Sequence, residues 1–346
     1  MFGIYRTALA LLVVLQHLGE VPSIGTYAVF GFYVLSGYLM TAIMHQNYGF
    51  SLGGIFKYAV NRGLRIYPIY WVACLLTLGL IVVFGSTEVS NFHSAMRYPT
   101  TANEIIKNIF IIFPDLSSAR LSPPAWALTV ELFFYALIGL GLSKYFFVTV
   151  IWFVCSLVYH VTALSPQFPW SDTYFSIAAA SLPFSTGALI YFQRARFESF
   201  VKRNQTGILA VLVLSFALNF LLFRDIVSKE FAFYFSYVIC SLLVLALSFL
   251  NTSSSGRKAD KWIGDLSYPI YLIHYQVGFL CLVAFQYFDF VDEVSSAAQL
   301  AAITLATIAV SRVVVALLQS PIDGVRDLVR DSGFSKTDSR HEVVKR

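Results

Sequence analysis

Long apolar runs separated by polar stretches occur at 5–18, 26–44, 66–85, 125–142, 144–161, 174–192, 207–223, 230–250, 266–288 and 297–318. Most approach the roughly 20 helical residues needed to cross a hydrocarbon core about 30 Å thick. They do not alternate in polarity, as the strands of a membrane barrel with a polar lumen must. Backbone groups in lipid have to be paired within their own segment, so each run predicts a helix. The expected fold is all-α, a polytopic membrane protein with about ten transmembrane helices. A shorter stretch at 103–113 predicts an interfacial helix that does not cross.

Composition agrees with this pattern. Of the 346 residues, 58% are hydrophobic and 12% charged, against about 25% charged in a soluble domain, and mean hydropathy is +0.70. The net charge of +5 reports topology, and no nucleic-acid partner is expected. Ten crossings put both termini on one side, which the positive-inside rule makes cytoplasmic. Eighteen of the 24 basic residues then lie inside: Arg6; Lys57, Arg62 and Arg65; Lys144; Arg194, Arg196, Lys202 and Arg203; Arg257, Lys258 and Lys261; and Arg326, Arg330, Lys336, Arg340, Lys345 and Arg346. Arg97, Lys107, Arg120, Arg224 and Lys229 fall outside, and Arg312 lies in the last run.

The N-terminal run reads as the first span and not as a cleaved signal. Residues 1–320 form the expected transmembrane domain, and the charged stretch 321–346 a cytoplasmic tail, partly disordered. Cys74, Cys155, Cys240 and Cys281 sit in apolar runs without close pairs, so neither a disulfide nor a metal site is expected.

Ionisable groups inside a bilayer are costly and therefore mark function by default. His17 lies about 16 Å along the helix from Arg6. Ser36 falls near the middle of the second run, Glu131 five residues after Trp126, and His274 near the middle of the ninth run. The four reach overlapping depths. A membrane histidine also serves as a bond between helices, and Ser36 beside Gly37 also suits close helix packing. Glu131 has less of a structural alternative, because a carboxylate in lipid needs a partner. Arg62 and Arg65, three apart, share a helical face at the cytoplasmic end. They suit either a positive-inside anchor or phosphate binding by paired hydrogen bonds.

Several segments carry a resemblance. The Arg6 to His17 spacing, Val34-Leu-Ser36-Gly37-Tyr38-Leu39, Arg62-Gly-Leu-Arg65-Ile-Tyr-Pro-Ile-Tyr-Trp71, Ala125-Trp126-Ala-Leu-Thr-Val-Glu131 and Leu266-Ser-Tyr-Pro-Ile-Tyr271-Leu-Ile-His274 occur in the order found in the membrane-bound acyltransferase 3 family. The chain resembles that family in its stand-alone transmembrane form. It departs from the family pattern at Phe30-Gly31-Phe32-Tyr33, at Thr129, and at Gln319-Ser320-Pro321, where a Glu-Lys-Pro-like sequence is usual.

The resemblance implies transfer of an acyl group, often acetyl, from cytoplasmic acyl-CoA to a hydroxyl of a glycan, a lipid-linked sugar or another acceptor. It also implies a bacterial inner membrane and no permanently bound cofactor, acyl-CoA (acetyl-CoA foremost) being a co-substrate. A hydroxyl needs a positioned base, and histidine, with an unperturbed pKa of about 6.5, suits the task. His17 is the first candidate. Glu131 is expected to orient His17, stabilise its protonated form or act as the base itself. Arg6, Arg62 and Arg65 are expected to bind the donor, and Ser36, Trp126, Tyr271 and His274 to line the substrate pocket. The alternative is a proton-coupled secondary transporter using His17 and Glu131.

Overall fold

The computed structural model describes residues 2–19, 21–164, 170–223, 228–288 and 295–331. Arg224, Lys336, Arg340, Lys345 and Arg346 lie outside the described residues. The described chain is helical: α1 Gly3–Leu18, α2 Ile24–Ile43, α3 Leu52–Phe84, α4 Ser86–Phe92, α5 Ala102–Phe110, α6 Ala125–Gly139 and α7 Phe146–Ala163, followed by α8 Trp170–Tyr174, α9 Ile177–Leu218, α10 Lys229–Leu247, α11 Ser254–Gly264, α12 Ser267–Tyr287 and α13 Ser296–Asp331. A π-helical turn, Met44–Tyr48, extends α2, and another, Asn219–Phe223, extends α9. The protein is an integral membrane protein. Among the described residues, seven helical stretches are long and apolar enough to cross a bilayer, and Gly3–Leu18 and Ala125–Gly139 are shorter apolar helices.

Helix also continues where the polar pattern predicts breaks. Residues 193–206 belong to α9, in which two helices, holding most of the runs 174–192 and 207–223, join end to end at a kink without an intervening loop. The kink is at Asn204, whose backbone leaves the helical region and whose Nδ2 donates to the Phe200 carbonyl, 3.1 Å away. Likewise α3 starts 14 residues before the apolar run at 66, and α13 runs through Gln319-Ser320-Pro321 to Asp331. Ser51, Thr101, Ser176, Ser228 and Ser253 cap α3, α5, α9, α10 and α11 by accepting from backbone N–H groups. Such caps satisfy donors that the first helical turn leaves unpaired.

Small residues set the helix spacing, as expected where lipid supplies no hydrophobic drive. Where α2 crosses α9, a β-carbon on Gly37 would overlap the Phe184 carbonyl, and one on Gly187 would overlap the Val34 carbonyl. At the basic end of the bundle, the Gly3 and Ile4 N–H groups donate to the Asp260 carboxylate at 3.0 and 2.9 Å. That carboxylate meets the positive end of the α1 dipole. Asn61 of α3 and Arg326 of α13 exchange two hydrogen bonds, each 3.1 Å. Thus α1, α3, α11 and α13 converge where Arg6, Arg62 and Arg65 lie.

The predicted short helix is α5. Buried Asn108 fastens it to the returning chain, its Nδ2 donating to the Ala119 carbonyl at 2.8 Å and its Oδ1 accepting from Leu121 N at 2.9 Å. Thr129 adds a latch from α6, accepting from Phe113 N and donating to the Ile111 carbonyl.

Candidate active site

A cavity enclosing about 140 Å³ opens among α1, α2, α3, α6 and α12, and its lining includes Arg6, Ser36, Arg62, Arg65, Glu131, Tyr135 and Tyr271. Six of the nine residues singled out from the sequence therefore share one space. The backbone contact at Gly37 brings α2 against α9 and leaves Ser36, one residue earlier, in the cavity wall. Ser36 Oγ lies 3.4 Å from Glu131 Oε1, and the Tyr135 hydroxyl donates to Glu131 Oε2 over 3.1 Å. The two hydroxyls are 3.2 Å apart. A carboxylate drawn into an apolar bundle thus has two hydroxyl donors, which offset part of its desolvation.

No carboxylate stands within ion-pairing distance of Arg6, Arg62 or Arg65 among the described residues. Among the described residues, the Nε atoms of Arg6 and Arg62 are buried without hydrogen-bond partners, and Arg62 Nη1 lies 4.0 Å from Met40 Sδ. Buried guanidinium donors are normally paired. The cavity therefore has positive charge and unpaired donors at one end, with the Asp265 carboxylate acting on Arg6 and Arg65 from beyond ion-pairing distance.

His17 and His274 do not line this cavity. They pair with each other, His17 Nδ1 to His274 Nε2 at 3.0 Å, with their rings stacked 5.2 Å apart. Tyr271, one turn before His274 on α12, lines the cavity and donates to the Pro124 carbonyl at 3.1 Å. The histidine pair thus lies one helical turn beyond the cavity, away from the arginines. Trp126 stands behind the wall, packed edge-on against Tyr174 and Phe175. The hydrogen-bond partners of Glu131 are Ser36 and Tyr135, and the group that holds His17 is His274.

Several site residues escape the sequence reading. Tyr135 follows Glu131 by four residues, a spacing that places both on one helical face, and that signal was available. Tyr275 stacks on His17 at 5.1 Å, and His93 meets Tyr275 edge-on at 4.7 Å. His93 follows α4, outside the apolar runs, and nothing in its local sequence connects it with His17. Burial, reinforced by the Arg120 guanidinium, lowers the pKa of His93 below the usual histidine value, and its Nδ1 accepts from Ala95 N.

An all-helical apolar bundle enclosing a polar cavity, with a histidine pair beyond it, defines a membrane protein with an intramembrane reaction or binding site. A family model described as an acyltransferase domain matches residues 2–316. The chain belongs to the acyltransferase 3 family and is a membrane acyltransferase. No curated protein and no solved structure matches the chain.

Proposed function

We propose that this acyltransferase takes its acyl group from a cytoplasmic acyl-CoA, acetyl-CoA foremost, and passes it to a hydroxyl of a glycan, a lipid-linked sugar or a related acceptor, with His17 as general base. The observation that carries the reading is the set of three cavity guanidiniums, Arg6, Arg62 and Arg65, with no carboxylate within ion-pairing distance among the described residues. Such an array suits a polyanion, and phosphates take the paired hydrogen bonds that guanidinium offers. From Arg6 to His17 the helix rises about 16 Å, a distance suited to a donor with phosphates at one end and its reactive thioester at the other.

The membrane is proposed to be a bacterial inner membrane crossed ten times, with both termini in the cytoplasm. The gathering of Arg6, Arg62, Arg65 and Arg326 at one end of the bundle supports this orientation, because cytoplasmic ends collect Lys and Arg. Purified protein incubated with radiolabelled acetyl-CoA and a hydroxyl-bearing glycan should label the glycan. Neither binding nor consumption of acyl-CoA, together with proton uptake coupled to a solute in proteoliposomes, would instead establish the transporter alternative.

A further inference from the structure

We propose that His274 is a positioning residue that selects the tautomer of His17, leaving His17 Nε2 as the proton-accepting atom. The inference rests on the reading of His17 as base and adds which nitrogen acts and what makes it act.

His274 is fully buried. Its Nδ1 lies 2.9 Å from the Tyr271 carbonyl oxygen and 3.3 Å from that of Ile270. Carbonyl oxygens only accept, so His274 Nδ1 carries a hydrogen. An imidazolium at this place would be a buried cation with no carboxylate beside it among the described residues, an expensive state. His274 is therefore neutral, and its Nε2 bears a lone pair.

That lone pair faces His17 Nδ1 at 3.0 Å. One of the two facing nitrogens must donate, and His274 Nε2 has no hydrogen to give. His17 Nδ1 is consequently protonated, and the lone pair of His17 is on Nε2. The relation parallels a metal-bound or catalytic histidine whose tautomer is set by the bond its other nitrogen makes. Here a second imidazole, anchored to the α12 backbone, sets it.

During transfer, His17 Nε2 takes the acceptor hydroxyl proton as the hydroxyl oxygen bonds to the thioester carbonyl carbon. The tetrahedral adduct then expels the coenzyme A sulfur, which recovers that proton from Nε2. An ester and free coenzyme A result, and both histidines end neutral. While His17 is cationic, its Nδ1–H remains bonded to His274 Nε2, so the pair needs no rearrangement.

Nitrogen-15 NMR of histidine-labelled wild-type protein in detergent reads the tautomer directly, with His17→Ala assigning the His17 signals. The expected spectrum shows His17 protonated at Nδ1 and bare at Nε2. A His17 protonated at Nε2 overturns the proposal whatever the activity. Kinetics supply the second arm. His274→Leu should lower kcat about 10- to 100-fold, as loss of an orienting partner does, with little change in the acyl-CoA KM. His274→Gln, whose Oε1 accepts from His17 Nδ1–H, should recover at least about tenfold over Leu by the same reasoning. A folded His274→Leu protein with wild-type kcat overturns the positioning role. Wild-type transfer by His17→Ala would instead defeat the reading of His17 as base, an outcome separate from the tautomer measured by NMR.

Discussion

Gly37 of α2 and Gly187 of α9 face each other across a helix crossing in which neither position has room for a β-carbon. The obstacles are backbone atoms, at Phe184 for Gly37 and at Val34 and Tyr38 for Gly187, so a larger residue has to push the helices apart. Ser36 stands beside this contact, and its bonds to Glu131 and Tyr135 depend on where α2 is held. Gly37→Ala and Gly187→Ala should each destabilise the protein by about 3 kcal/mol, the upper part of the range for overpacking. Thermal unfolding in detergent checks this, and an unchanged Tm for either variant would show that the crossing yields easily.

Arg62→Ala and Arg65→Ala test the anion end of the cavity. A charge-assisted hydrogen bond contributes about 1.5–3 kcal/mol, so each variant should raise the acyl-CoA KM roughly 10- to 150-fold. Stability should hold or improve, since neither guanidinium has a carboxylate partner among the described residues. Wild-type donor affinity in both variants would reduce these arginines to topological anchors.

His17→Ala and Glu131→Gln separate the two candidate bases. His17 is held by His274, whereas both Glu131 oxygens meet hydroxyls. His17→Ala should keep donor binding and lose roughly 100- to 10,000-fold in transfer, the usual worth of a positioned base, and Glu131→Gln should lose less. The reverse order, measured with the same donor-binding and transfer assays, would move the base to Glu131.

The segment around α5 should loosen in acid. Hydrogen bonds from the Thr100 and Ala119 backbone, together with Arg97, hold Glu104 below the usual carboxylate range, and Ser117 and Lys107 do the same for Asp115. A depressed folded pKa contributes stability that is present above the unfolded value, about 4, and is lost as pH falls through the folded value. Amide hydrogen exchange over residues 97–120 should be slow at pH 6 and should become faster, after correction for intrinsic rates, as pH drops below about 4. Protection that does not change over this range would mean that the Asn108 bonds hold the segment alone.

The run of apolar positions from 26 to 44 was enough to predict α2, because a chain in lipid has to pair its own backbone. Ser36 and Glu131 were visible for a related reason, since a polar group amid apolar neighbours stands out where desolvation is costly. The polar stretch 193–206 does hold the junction of two helices, but as a kink and not as a loop. Hydropathy marks where a helix can be covered by lipid and says nothing about where it stops, so the first helix of α9 runs on through Arg194 and Lys202 and the second begins past the kink at Asn204.

Sequence alone determined that this chain is an apolar helical bundle with basic residues gathered in particular segments and a few ionisable groups within the apolar runs, because those properties follow from local composition and period. Tertiary structure decided the partners. Arg6, Arg62 and Arg65 share a cavity with Ser36, Glu131 and Tyr271, while His17 turns to His274, 257 residues away, and leaves Glu131 to Ser36 and Tyr135. Depth along a helix follows from counting residues at a fixed rise. Which faces meet depends on helix rotation and crossing, set by contacts such as Gly37 against Phe184 that join residues far apart in the chain.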